Sequence, residues 1–249
     1  MRVVSVTASR YAPIMSSDET PETHEGAFSD PQYRAGVIEL LGLLCYGELS
    51  TCERLTNDAN MAPDLRTKAQ LYAMAASEWD HFTQLRDRIE ELGEDPFAVM
   101  DPFQETFARF HTKTEPSNWL EGILKAYVGD GLAADFYAEI AAYLDAETRD
   151  LVLATMSKTG SSQFVIDEVR AAIKKDPKVG GRLALWSRRL MGEALSQAQM
   201  VVAERDDLVA VVVGGVDHPG GLDLASIGRM FTRITEAHAE RMNALGLSA

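Results

Sequence analysis

The chain has 249 residues, of which 46% are hydrophobic, so it is long and apolar enough to bury a sizeable core. Its 38 acidic and 24 basic side chains give a formal net charge of −14. This charge disfavours non-specific attraction to nucleic acid, because contacts with phosphate need clustered lysine and arginine. No run reaches the roughly 18 uninterrupted apolar residues of a membrane helix. Cys45 and Cys52 lie too far apart along one apolar run for a disulfide. We therefore predict a cytoplasmic protein that has no membrane partner.

The N-terminal region and the first two helices are marked by turn and capping residues. Residues 1–30 are rich in Pro, Ser, Thr and acidic residues and predict a disordered tail. Residues 31–249 predict one helical domain. Asp30 followed by Pro31 is typical of a helix start. The first helix is predicted to end near residue 60. A second helix over about 64–92 is predicted to end at Gly93.

The rest of the chain also predicts helices. Residues 93–116 hold three prolines and several phenylalanines, which indicates a crossover packed along the bundle. Ser117 is expected to cap a third helix that ends near residue 144, and a turn at Asp145 leads into a fourth over 147–175. Two further helices are predicted over about 179–213 and 222–245. The fold class is therefore all-α, a four-helix bundle with a crossover and two additional C-terminal helices.

The first two helices carry residues that can bind a metal. Glu78 and His81 are spaced i, i+3, which places both side chains on one helix face. They lie on the stripe that faces the core. Glu48 interrupts the apolar stripe of the first helix, and buried carboxylates are rare unless they are paired or bound to metal. These three residues predict half of a carboxylate–histidine metal site, or else a buried hydrogen-bonded cluster without metal.

The positions of these residues relative to the turn between the helices support the grouping. Glu48 and Glu78 lie about equally far from the turn, so in antiparallel helices they reach nearly the same height. The competing residue Glu53 is five residues nearer the turn, which places it roughly 7.5 Å off that level. Glu48 is therefore the predicted ligand.

A complete dinuclear site needs a second set of ligands from the third and fourth helices. On the third helix Asp130 lies on the inward stripe, and Asp135 is the second candidate. On the fourth helix, residues 155–165 contain neither Glu nor His. A weak internal repeat places Gly160 and Gln163 opposite Glu78 and His81, and Gln163 can act as a weak oxygen ligand. A shift of two residues places Lys158 there instead, as a competing cation.

Four segments resemble an actinobacterial group of ferritin-like proteins related to the tRNA isopentenyl-adenosine hydroxylases, which use two irons and oxygen. The segments are LLCYGELSTCERL, ASEWDHFTQLRDRIEELG, WLEGILKAYVGDGLAADFYAEI and RLALWSRRLMGEALSQAQ. The resemblance covers about residues 31–246. It implies that Glu48, Glu78 and His81 are iron ligands, and that Asp130 or Asp135 replaces the third helix's glutamate. The second Glu-x-x-His of the hydroxylases has no counterpart, whereas Gln163 resembles a residue of the one-histidine ferroxidase centre of ferritins.

The resemblance implies a ferritin-like oxidoreductase of the di-iron carboxylate type. Its activity would be that of a monooxygenase or hydroxylase on a small or tRNA-borne substrate, with an incomplete second metal half-site. Three carboxylates and one imidazole suit one or two ions of Fe(II), or Mn(II). The alternative is a degenerate, metal-free scaffold or binding protein, and the acidic charge counts against tRNA. The apolar stretch 208–213 can form core or a homodimer surface, and core is favoured.

Overall fold

The computed structural model describes residues 27–141, 143–156, 161–214 and 224–248. Within these ranges the chain forms ten α-helices and no strand, which confirms the all-α prediction. The predicted tail falls almost wholly outside the described residues, so its disorder stays a prediction. The helices are α1 (Pro31–Asp58), α2 (Leu65–Glu91), α3 (Pro96–Met100), α4 (Gln104–Lys113), α5 (Trp119–Ala141), α6 (Ala146–Thr155), α7 (Ser161–Lys175), α8 (Pro177–Glu204), α9 (Asp206–Gly214) and α10 (Leu224–Leu245).

The capping residues explain where the first helices begin and end. The Asp30 carboxylate accepts a hydrogen bond from the Gln32 amide, and Pro31 occupies the first turn of α1. Gly93, which follows α2, has φ +82°, a conformation that glycine adopts without steric cost. These two predictions are confirmed. The predicted cap of the third helix was wrong by one residue, because the Glu121 amide donates to the side chain of Asn118 and not of Ser117.

Two predicted long helices are each divided in the structure. The described residues of the predicted helix over 147–175 form two helices, α6 and α7. The predicted helix over 179–213 consists of α8 and α9, which separate at Arg205. Asp206 and Asp207 lie in the first turn of α9, where acidic side chains stabilise a helix start. The predicted crossover contains the short helices α3 and α4.

The helices pack around α1 and α5. Helix α1 pairs with α2 and also contacts α3, α5 and α9, whereas α5 packs against α7, α8 and α10. Leu208 and Val211 of α9 belong to the buried core around α1, which confirms the core interpretation of that stretch. A homodimer stays a prediction, which light scattering at tens of micromolar protein would test.

The first helix has the composition of a possible membrane helix. The helical segment Pro31–Met61 is long and apolar enough to span a membrane by length and composition alone. Its residues Val37, Leu41 and Cys45 are fully buried inside the protein, against neighbouring helices. It also carries Glu48 in its middle. We therefore interpret α1 as the core helix of the bundle.

Gly36 lies at the close crossing of α1 and α9. A Cβ at this position would overlap the Asp207 carbonyl oxygen and the Val211 side chain. We expect Gly36→Ala to lower the free energy of unfolding by about 1–3 kcal/mol, because two helices must move apart. Gly192→Ala is the control, since its Cβ would meet open space. It should be neutral or stabilise by about 0.5–1 kcal/mol. Urea unfolding measures the stability of both variants. Equal unfolding midpoints for Gly36→Ala and Gly192→Ala would contradict the close contact of α1 with α9 at Gly36.

Candidate metal centre

Glu48 of α1 and Glu78 and His81 of α2 converge on one point. One ligand atom from each of the three side chains lies within 4.8 Å of the other two. The His81 Nδ1 atom is 3.6 Å from Glu48 Oε2 and 3.8 Å from Glu78 Oε2. The equal heights predicted for the two glutamates are therefore observed. Glu53 is 62% exposed and pairs with Arg54, so it takes no part in the cluster.

The surroundings of the cluster keep it largely out of water. The three side chains are only 14–16% exposed. The flanking positions Leu44 and Cys45 on α1, and Phe82 and Leu85 on α2, are fully or nearly fully buried. The helical periodicity that buries these apolar residues therefore also turns the acids and the imidazole inward.

The cluster shifts the pKa values of all three groups. Burial raises the pKa of Glu48 well above its ordinary value, and the neighbouring Glu78 carboxylate adds to this effect. Burial alone would also raise the pKa of Glu78, but its contacts with His81 and Glu48 bring it below the ordinary value. Contacts with Glu48, and then with Glu78, raise the pKa of His81 to about 10. The site therefore attracts positive charge.

The residues present fit a metal ion. His81 Nδ1 is buried and has no hydrogen-bond partner among the described residues, and its distances to the carboxylates exceed a normal hydrogen bond. Two ligands about 2.1 Å from a shared ion lie roughly 3.0–3.5 Å apart. The observed separations are only slightly longer. Two carboxylates and an imidazole suit Fe(II) or Mn(II), and a metal bound there would give the orphaned nitrogen a partner.

The other predicted ligands that the structure describes, Asp130, Asp135 and Gln163, lie in three different environments. Asp130 is exposed on α5, and it contributes to the wall of a cavity that Glu48 and Glu78 also line. Asp135 is buried, and its Oδ2 pairs with Arg241 Nη1 of α10 at 2.5 Å. Gln163 is exposed on α7 and donates a hydrogen bond of 2.8 Å to Asp167. Neither Asp135 nor Gln163 joins the cluster, and the other candidate positions, 158 and 160, lie outside the described residues.

A cavity of about 460 Å³ extends from the cluster between α1, α5 and α8. Glu48 and Glu78 lie in its wall. Most of the remaining wall is apolar, with residues such as Leu43, Phe107, Phe110, Val128, Phe136 and Leu190. A volume of this size is typical of sites that bind small molecules.

Comparison with known proteins identifies the family. A family model described as "Ferritin-like domain, actinomycetes" matches residues 31–215. The chain belongs to this family. The resemblance seen in the sequence and the ferritin-like fold are thereby confirmed.

Curated relatives of the chain include hydroxylases. The chain is similar to the 3-demethoxyubiquinol 3-hydroxylase of Francisella tularensis subsp. novicida (strain U112), with 28% identity over 182 residues, 69% of this chain and 78% of that protein. It is also similar to the enzyme of the same name from Francisella tularensis subsp. tularensis (strain WY96-3418), with 25% identity over 177 residues, 68% of this chain and 78% of that protein. At the level of the family, these similarities support an oxidoreductase.

The cavity wall contains two polar groups that were not predicted from the sequence, His111 and Lys125. The His111 Nε2 atom is 2.7 Å from Ser50 Oγ of α1. Burial lowers the pKa of His111 to about 3, so the ring is neutral at physiological pH. Lys125 is the only basic residue of the otherwise mostly apolar α5, and this isolation was the available signal. His111 gave no such signal, because only the crossover brings α4 beside α1.

Proposed function

We propose that this protein is an iron-dependent oxidoreductase that hydroxylates a small apolar molecule. Glu48, Glu78 and His81 hold the metal, and the adjoining cavity holds the substrate. The observation that carries this proposal is that the carboxylates of Glu48 and Glu78 lie in the wall of a largely apolar cavity. A purely structural acid–histidine cluster has no need of such a cavity.

Each part of the site has a separate role in this proposal. The carboxylates of Glu48 and Glu78 and the Nδ1 atom of His81 bind the ion. Bound iron supplies redox chemistry with oxygen, and an external donor provides the two electrons that reduce the second oxygen atom to water. Phe107 and Phe110 cover the cavity on the side of the crossover, so that they exclude water from the substrate.

A small apolar substrate is favoured over a tRNA-borne one. The curated relatives are named for hydroxylating 3-demethoxyubiquinol, a small molecule. The formal net charge of −14 opposes binding to a polyanion. The apolar wall matches a substrate whose binding removes hydrocarbon surface from water.

We propose one ion per chain instead of two. Arg241 forms an ion pair with Asp135, and Gln163 is exposed on α7 and does not line the cavity, so neither joins the metal-binding cluster. Asp130 remains the one predicted ligand of the third helix at the cavity. The incomplete second set of ligands also favours a second candidate function. In this alternative the protein binds a ligand in the cavity, holds no metal and has lost redox chemistry.

Oxygen consumption by the iron-loaded protein distinguishes these two functions. We expect protein loaded anaerobically with Fe(II) and given a reductant to consume oxygen faster than free Fe(II) does. Glu78→Gln should reduce the rate above background about tenfold or more, because it removes a charged ligand. Glu53→Gln is the matched control, since Glu53 is exposed and outside the cluster, and it should keep the wild-type rate. A wild-type rate equal to that of free Fe(II), or an undiminished rate in Glu78→Gln, would overturn the proposal.

A further inference from the structure

Lys125 places a buried positive charge in the wall of the cavity. The side chain belongs to α5 and the residue is only 7% exposed. Its Nζ donates a 2.9 Å hydrogen bond to the Thr114 carbonyl oxygen and lies 5.4 Å from the centre of the Phe110 ring. A carbonyl oxygen and an aromatic face stabilise a cation but do not neutralise it.

No carboxylate in the described part of the chain forms an ion pair with Lys125. A buried ammonium without a paired anion is unfavourable, and lysine is almost never found buried unless it is paired. Burial lowers the pKa of Lys125 to about 8, whereas Asp58 opposes this effect at longer range. The ammonium therefore keeps its proton at neutral pH, and its hydrogen bond to Thr114 uses only one of its three donor positions.

Gln197 of α8 adds a second unpartnered polar group to the same wall. The residue is 6% exposed, and neither its Oε1 nor its Nε2 atom has a hydrogen-bond partner among the described residues. A buried primary amide with both ends unpaired costs free energy, which a ligand that bonds to it would recover. This group is independent of Lys125, because it comes from a different helix.

We propose that the cavity binds an apolar molecule carrying a single carboxylate, which pairs with Lys125, while Gln197 forms a hydrogen bond with a polar atom of the same ligand. Lys125 is the one Lys or Arg side chain that the described residues place in the wall, so it matches one negative charge, and the apolar surface around it matches a hydrocarbon body. In so far as this ligand is the substrate, the inference rests on the proposed function. The binding itself does not.

Calorimetric titration with three ten-carbon ligands tests the charge preference. Decanoate, 1-decanol and decylamine share one hydrocarbon chain and differ in the head group. We expect decanoate to bind wild-type protein about tenfold or more tightly than 1-decanol. Decylamine, whose ammonium can pair with the Glu48 and Glu78 carboxylates of the same wall, should bind no more weakly to Lys125→Met than to the wild type. Equal binding of decanoate and decanol, or no binding of decanoate, would overturn the inference.

Variants of the two polar groups test the assignment. Lys125→Met should weaken decanoate binding about tenfold or more and leave decanol binding unchanged, which also shows that the cavity is intact. Gln197→Leu should weaken decanoate binding several-fold. Lys178→Met is the control, because Lys178 is exposed on α8, and it should bind decanoate as the wild type does. Unchanged decanoate binding in Lys125→Met would contradict the proposed pairing.

The outcome is separable from that of the proposed function. If decanoate binds through Lys125 while the iron-loaded protein consumes no oxygen above background, the ligand class stands and the oxidoreductase proposal fails. If oxygen consumption depends on Glu78 but decanoate binding is independent of Lys125, the oxidoreductase proposal stands and the ligand class fails.

Discussion

Arg241→Met is expected to lower the free energy of unfolding by about 3–5 kcal/mol, because it leaves the Asp135 carboxylate buried without its cation. The two side chains are only 12% and 7% exposed, and their ion pair joins α10 to α5. Urea unfolding at pH 7 measures the loss. The metal content should not change, since neither residue belongs to the Glu48–Glu78–His81 cluster.

The double variant Asp135→Leu, Arg241→Met is the matched control for this prediction. Removing both charges together should recover most of the stability that the single variant loses, because no unpaired charge remains in the interior. If Arg241→Met instead left stability intact and raised the metal content, Asp135 would be a metal ligand that Arg241 displaces. The interpretation of this pair as structural would then be wrong.

Lys125→Met is expected to raise the free energy of unfolding at pH 7 by about 1–2 kcal/mol, because relief of the buried charge outweighs the loss of the hydrogen bond to the Thr114 carbonyl oxygen. The pKa of Lys125 falls from 10.5 to about 8 in the folded protein, and a shift of this size corresponds to about 3 kcal/mol. The unfolded chain holds the proton up to pH 10.5, whereas the folded chain releases it near pH 8. The penalty is therefore complete below pH 8, and the wild type becomes more stable as the pH rises between these values.

Urea unfolding of the wild type and Lys125→Met at pH 7 and pH 10 tests the predicted direction of this change in stability with pH. The advantage of Lys125→Met should be largest at pH 7 and mostly gone at pH 10, and Lys178→Met should show no such change. A stability difference between the two proteins that does not change between pH 7 and pH 10 would mean that the folded chain already neutralises the ammonium. In that case the cavity would have no unmatched charge for a ligand.

The convergence of Glu48, Glu78 and His81 was predictable from the sequence because it depends on local geometry. The i, i+3 spacing of Glu78 and His81 and the helical rise between Glu48 and the turn together fix three side chains on two adjacent helices. The rise alone excluded Glu53. The ion pair of Asp135 was not predictable in this way, because its partner Arg241 belongs to α10. A local sequence pattern does not predict a contact between helices that are far apart in the chain.

The helix boundaries and the cavity also differ in this way: features set by local sequence were predictable, whereas features set by packing between helices were not. Glycine and capping residues marked the ends of α1 and α2, because they act within one turn of the helix. The separation of α8 from α9 at Arg205 occurs without Gly or Pro at the break, so periodicity alone extended one helix through it. Lys125 and Gln197 reach one cavity from different helices, and only the packing of α5 against α8 brings them to it.

The iron content of protein purified from iron-supplemented cells tests the central claim most directly. Elemental analysis should find about one iron per chain in the wild type, almost none in His81→Ala, and the wild-type amount in Glu53→Gln. A wild type without bound metal, or a His81→Ala variant with undiminished iron, would contradict the claim that Glu48, Glu78 and His81 form the metal centre.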